Sequence, residues 1–212
     1  MIKANETLFI SPNFKNILTR GNKYEDYVLD LMNLSNIIFP SKYEKVKKQD
    51  NGEPDFVDSK DGTKYDAKLV VSEFQCQQLC GKNNVADYVK EISKQNNEIY
   101  DLIVNEQSAD YELLDLMKKQ LLKKSTANKN IVFFFTFPIG SHVTTSITAH
   151  LLPNYMTILL SGLKDVANGR EIYAICPTID GHYEIRKASD PSLPEFIRYS
   201  KLDKYFKWSF TR

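Results

Sequence analysis

Apolar residues recur at helical spacing from Tyr24 through Tyr27, Val28, Leu31 and Leu34, so KYEDYVLDLMNL is expected to form an amphipathic helix. The pattern then changes. NIIFP is short and β-branched, and the lysine-rich stretch behind it reads as a strand or an exposed connection up to Asn51-Gly52. DFVDSK and TKYDAKLVV have strand character, and the Asp61-Gly62 pair between them is a strong two-residue turn signal, which predicts a β-hairpin. A long helix is expected from about Asn84 to Val104, with Val85, Tyr88, Val89, Ile92, Ile99 and Ile103 on one stripe, and another from about Tyr111 to Lys124.

NIVFFFTFP follows almost without alternation, as a central strand covered on both faces should. Beyond Pro138, ITAHLLPNYMTILLSGL is expected to be helical in part with a break near Pro153, and EIYAICPTIDGHYEIRK predicts a second hairpin around Asp180-Gly181. This order implies an α/β protein with a mixed central sheet flanked by helices. We expect a single domain with its core over about 22–138 and a C-terminal elaboration over about 139–212.

At 212 residues, with 42% hydrophobic and 26% charged, the chain can bury a sizeable core and is unlike a disordered segment. Its longest apolar run, from Ile131, is far short of the roughly 20 residues that span a bilayer. The N-terminal residues lack the apolar centre of a secretory signal, so a cytoplasmic protein without a membrane partner is expected. Cys76, Cys80 and Cys176 are odd in number and are expected to be free thiols; CQQLC lacks the four ligands of a structural zinc site. The net charge is only +1, so affinity for phosphate must come from local patches. Three exist: Lys42, Lys45, Lys47 and Lys48; Lys118, Lys119, Lys123, Lys124 and Lys129; and Lys201, Lys204, Lys207 and Arg212, interleaved with Tyr205, Phe206 and Trp208. Each taken alone is more simply explained as a solvated face.

With Asp61 and Gly62 as the turn residues, Lys60 faces Thr63, Asp55 faces Lys68 and Val57 faces Asp66. Alternation then sends Asp55, Asp66 and Lys68 to one face of the hairpin, and Phe56, Tyr65, Ala67, Leu69 and Val71 to the other. Asp58 falls on the wrong face to join the charged set. Two carboxylates and one ammonium are costly to bury without compensation, so a cation or solvent is expected among them, a divalent metal being the natural choice. Hard oxygen donors suit Mg²⁺, with Mn²⁺ able to substitute. Such an ion polarises a phosphate and acidifies a bound water, while Lys68 positions that water or stabilises developing negative charge. On this reading, neutralising Asp66 relieves repulsion and leaves the fold intact.

PDFVDSKDGTKYDAK resembles the PD-(D/E)XK motif of the restriction-endonuclease-like nucleases, with Pro54-Asp55 as the first element and Asp66-Ala67-Lys68 as the second. The resemblance implies an α-β-β-β-α-β core, matched by the element order expected from Tyr24 to Pro138, and Mg²⁺-dependent hydrolysis of DNA. It also implies Asp55, Asp66 and the Ala67 backbone carbonyl as metal ligands, with an acidic residue added from the first helix. Glu25 shares a face with Val28, Leu29 and Met32 and is therefore nearer the sheet than Asp26, although an acidic residue there also suits the helix dipole. Gln75, Gln77 and Gln95, together with Arg170, Arg186 and Lys187 around the second hairpin, are candidates for nucleic-acid contact.

A small chain of this kind looks most like a type II restriction enzyme, a homodimer if it makes double-strand cuts. An RNA-cutting nuclease and a catalytically inactive nucleic-acid-binding or assembly module of the same fold are the alternatives. His142, His150 and His182 share no ligand spacing, and neither a nucleophile elbow nor a Gly-rich phosphate loop is present.

Overall fold

The computed structural model describes residues 5–10, 23–47, 52–70, 99–102, 106–135, 152–177, 182–202 and 206–211. Its elements, in chain order, are β1 (Asn5–Ile10), α1 (Lys23–Leu34), β2 (Tyr43–Lys45), β3 (Phe56–Asp58), β4 (Lys64–Val70), β5 (Ile99–Leu102), α2 (Glu106–Leu121), β6 (Asn130–Phe135), α3 (Leu152–Ser161), β7 (Ile172–Pro177), β8 (His182–Lys187), β9 (Asp190–Arg198) and β10 (Phe206–Thr211). Seven strands form a mixed sheet in the order β2-β3-β4-β6-β7-β8-β9, and β10-β1-β5 form a separate antiparallel sheet. The protein is thus mixed α/β. Among the described residues no helix is long and apolar enough to cross a membrane.

β6 lies between β4 and β7 and runs parallel to both. Ile131 to Phe135 are all buried, which is why this segment shows no alternation. Ile131, Phe133 and Phe135 pack with Val70, with Met117 and Leu121 of α2, and with Met156, Leu159 and Leu160 of α3. On the opposite face Phe134 stacks on Tyr183, whose ring meets Tyr199, which in turn meets Tyr27 of α1. Helices therefore cover both faces, and the rings of Phe39, Tyr43, Tyr65 and Tyr173 complete the α1 side.

α1 is tied down at several points, which fixes where its first turn lies. Asn33 and Tyr43 exchange bonds between α1 and β2, at 3.0 and 2.8 Å. Asp30 accepts from the Tyr199 hydroxyl at 2.6 Å and from Lys201 at 2.7 Å. The turn after α1 wraps around the Glu195 carboxylate of β9, which accepts from Ser35 Oγ and from the N–H groups of Asn36, Ile37 and Ile38. Burial alone would push the Glu195 carboxyl up, but these bonds outweigh it and hold the group below the usual carboxylate range.

Several expectations need correction. The first hairpin does not turn on Asp61 and Gly62 alone: Asp58 N–H donates to Thr63 O, and Phe56 pairs with Tyr65. The loop has four residues because the Asp58 carboxylate accepts from Lys60 N–H and Asp61 from Thr63 N–H, leaving only Gly62, at φ 74°, in the left-handed region. The register thus shifts by two, setting Asp55 level with Asp66 instead of Lys68, and an even shift preserves the face. Ile99–Leu102 pairs with β1, which overturns the last turn expected of the long helix; 84–98 lie outside the described residues. Cross-strand pairing has overridden helical periodicity there. Pro153 does not break α3 but occupies its first turn, where its missing N–H costs nothing. β9 was illegible because of Pro191 and Pro194, yet it is an edge strand, which tolerates them.

Replacing Glu195 by Ala leaves four donors facing a vacated site and should destabilise the protein by about 2–4 kcal/mol, read by denaturant unfolding at pH 7. Because the folded pKa is depressed, this contribution is full above the ordinary carboxylate pKa and is lost as pH falls through the folded value, so the wild type and Glu195→Ala should converge in acid.

Candidate active site

β3 begins only at Phe56, which pairs with Tyr65, while β4 continues to Val70, so the backbone of β4 beyond Tyr65 needs other partners along that edge. Side chains supply them. Ala67 N–H donates to Asp55 Oδ2 at 2.7 Å, and Ala67 O accepts from the Tyr24 hydroxyl at 3.2 Å. Leu69 N–H also faces the Tyr24 oxygen. Asp55 is itself anchored by its backbone, donating to Tyr65 O at 2.9 Å and accepting from Val46 N–H at 3.0 Å. A fork results in which Asp55 and Tyr24 replace the missing strand.

Charge collects at this fork. Asp66, 3% exposed, receives Lys68 Nζ on one oxygen and Lys129 Nζ on the other, both at 3.1 Å. Lys129, 5% exposed, donates also to Glu53 O at 2.9 Å. Glu25 turns inward and is buried, with Lys45 Nζ at 3.4 Å, while Asp26 stays exposed and takes the same ammonium at 2.7 Å. Burial would pull the Lys45 ammonium down, but Asp26 and Glu25 hold it up. Burial, then Asp66 and Glu25, push the Asp55 carboxyl up to about 6, against the pull of Lys68 and the Ala67 N–H. Burial and the charges of Asp55, Glu25 and Asp66 likewise push the Tyr24 phenol up.

The structure therefore brings Glu25, Asp55, Asp66, Lys68 and the Ala67 carbonyl into one neighbourhood. Sequence reasoning missed two members. Tyr24 counted only as an apolar helix position, and Lys129 as part of a surface patch, because neither interaction is local: Lys129 lies 63 residues from Asp66 and Tyr24 lies 43 from Ala67. Lys129 supplies part of the compensation from within the chain, as a second ammonium on Asp66. Among the described residues no three His, Cys, Asp or Glu side chains are arranged to hold an ion as they stand.

The nucleic-acid candidates are dispersed. Gln75, Gln77 and Gln95 lie outside the described residues, as do Val71, Cys76 and Cys80. The Arg170 guanidinium is spent on the carbonyls of Leu121, Thr126, Val166 and Ala167, where it closes the C-terminus of α2. Arg186 is buried, pairs with Glu184 and donates to Thr157 Oγ1 and Pro191 O. Lys187, at the end of β8, is half-buried. Asp58, 7% exposed, serves the hairpin loop, and the Cys176 side chain is buried in the core. Compared with models of protein families, with curated proteins and with solved structures, the chain gives no match.

Two outcomes follow from this geometry. Tyr24→Phe strips the partner from Ala67 O and should lower stability by about 1–2 kcal/mol, read by thermal melting. Since the folded pKa of Asp55 is raised, its protonated form favours the fold below the ordinary carboxylate pKa, and that benefit is lost as pH rises through about 6. Metal-free wild type should therefore lose roughly 2 kcal/mol between pH 4 and pH 7 relative to Asp55→Asn, measured by denaturant unfolding at both pH values.

Proposed function

We propose that this chain is a divalent-cation-dependent nuclease that hydrolyses phosphodiester bonds, DNA being the favoured substrate. The observation that carries the reading is the convergence of Glu25, Asp55 and Asp66 beside Lys68 at an open strand edge. The reading is supported by the succession of α1, β2, β3, β4, α2 and β6, in which β5, a strand of the other sheet, intervenes between β4 and α2. We place that restriction-endonuclease-like core over about 22–138, with the rest of the chain elaborating the same domain.

The donor set fits Mg²⁺ by its chemistry, since carboxylates and a backbone carbonyl are hard oxygen ligands. Asp55, Asp66, the Ala67 carbonyl and Glu25 would hold the ion, which when bound supplies Lewis acidity and a more acidic water. The chain's own residues do the rest. Asp55 and Asp66 are kept adjacent by the register and by the Asp55–Ala67 bond. Lys68, partly exposed, places an ammonium at the site mouth, where it orients a water or meets the charge that grows on a phosphate.

One observation favours a second reading, in which the same fold binds nucleic acid without cutting it: both Asp66 oxygens carry lysines and Tyr24 holds the Ala67 carbonyl. Incubation with plasmid, linear and single-stranded DNA, and with RNA, with and without Mg²⁺, separates the two. Cleavage only with Mg²⁺ is expected, and binding without cleavage of any substrate supports the module.

Asp66→Asn is a poor probe, contrary to the expectation that it leaves the fold intact, because it strands the buried Lys129 ammonium at a cost of about 3–5 kcal/mol. The informative pair is Asp55→Asn and Lys68→Ala. Asp55→Asn should lose both cleavage and Mn²⁺ affinity, whereas Lys68→Ala should keep the ion and lose about 10²-fold or more in rate. Cleavage by Lys68→Ala at the wild-type rate would contradict the role given to this lysine.

A further inference from the structure

The least explained group at the fork is Lys129. Long lysine side chains are rarely buried without a task, and this one is 5% exposed. Its Nζ lies 3.1 Å from Asp66 Oδ1 and 2.9 Å from Glu53 O. It thus spans the two chain segments that deliver the carboxylates: Asp66 stands on β4, and Glu53 lies two residues before Asp55. Lys68 already serves the other oxygen of Asp66, at 3.1 Å. Lys129 sits behind it at the base of β6, where the parallel pairing of Asp66 with Ile131 fixes its height along β4.

We propose that Lys129 is a tethered counter-ion that stands in for the divalent cation at Asp66, so that ion binding must displace its ammonium from Asp66 Oδ1. The proposal rests on the reading that this site takes a divalent ion. With no ion bound, adjacent carboxylates repel, and the buried ammonium braces them by holding Asp66 and the segment leading to Asp55 together. An arriving Mg²⁺ competes for the same oxygen and meets a like charge at close range, so the two occupants exclude each other. The bond from Lys129 to the Glu53 carbonyl is independent of Asp66 and can keep the displaced ammonium tethered to the segment leading to Asp55. Wild type should accordingly bind divalent ions weakly for a site so rich in carboxylates. Substrate phosphate is the natural new partner for the displaced ammonium, since an anion beside the ion restores the charge balance.

The test is Mn²⁺ binding to the full chain, measured by electron paramagnetic resonance without nucleic acid, with metal-free melting recorded in parallel. Lys129→Gln removes the charge while its amide can still donate to Glu53 O; Lys129→Arg keeps the charge. Lys129→Gln should bind Mn²⁺ about tenfold tighter or more, melt lower than wild type without metal, and regain the difference when Mn²⁺ is added. Lys129→Arg should bind no tighter than wild type. Equal, measurable Mn²⁺ affinity in wild type and Lys129→Gln overturns the counter-ion role while leaving the ion site standing. Absence of binding to both at millimolar Mn²⁺ overturns the ion site and the counter-ion role together.

Discussion

The edge of β4 beyond Tyr65 is the constraint on which the site depends. A strand cannot leave N–H and C=O groups buried without partners, and β3 begins only at Phe56. Two side chains complete the ladder, the Asp55 carboxylate on Ala67 N–H and the Tyr24 hydroxyl on Ala67 O. That requirement draws Asp55 next to Asp66 and pins the first turn of α1, with Glu25 inside it, against the fork. The ties made by Asn33, Asp30 and the Glu195 carboxylate then hold α1 in the one position that satisfies β4. The candidate chemistry is a consequence of where a sheet runs out of strands.

Electrostatics at the fork is balanced by the chain itself. Asp66 lies between Lys68 and Lys129, Glu25 meets Lys45, and the raised pKa of Asp55 records how crowded the negative charge remains. A buried arrangement of this kind contributes little net stability, because desolvation offsets most of the attraction, but it is intolerant of losing a partner. On the proposed reading this property suits the fork to exchange, in which an incoming cation would replace one internal cation instead of filling an empty hole.

Much of this was legible in the chain. The non-alternating run at Ile131 and the helical spacing through Val28 and Leu31 report burial that the structure realises, whereas around Asp66 the alternation fails, since Asp66 and Val70 are buried along with Tyr65 and Ala67 while Leu69 is half-buried. The inward turn of Glu25 instead of Asp26 followed from its sharing a face with Val28 and Met32. What stayed hidden was set by non-local or side-chain-dependent contacts. The Asp58 carboxylate changed a two-residue turn into a four-residue loop and moved the register by two, which periodicity does not encode. Lys129 looked like one more surface lysine because its partners, Glu53 and Asp66, are distant in sequence. Arg170 and Arg186 looked available for phosphate, but carbonyls at the end of α2 and atoms around β9 claim them. Composition reports charge, and only folding reports whether water still reaches it.

The claim that the fork is an ion site is tested most directly by anomalous X-ray scattering from crystals soaked in Mn²⁺ at neutral pH. The expected result is a peak bridging Asp55 and Asp66 beside the Ala67 carbonyl, with Lys129 Nζ withdrawn from Asp66 Oδ1. A map without a peak, in which Lys68 and Lys129 still hold both oxygens of Asp66 at saturating Mn²⁺, would contradict it.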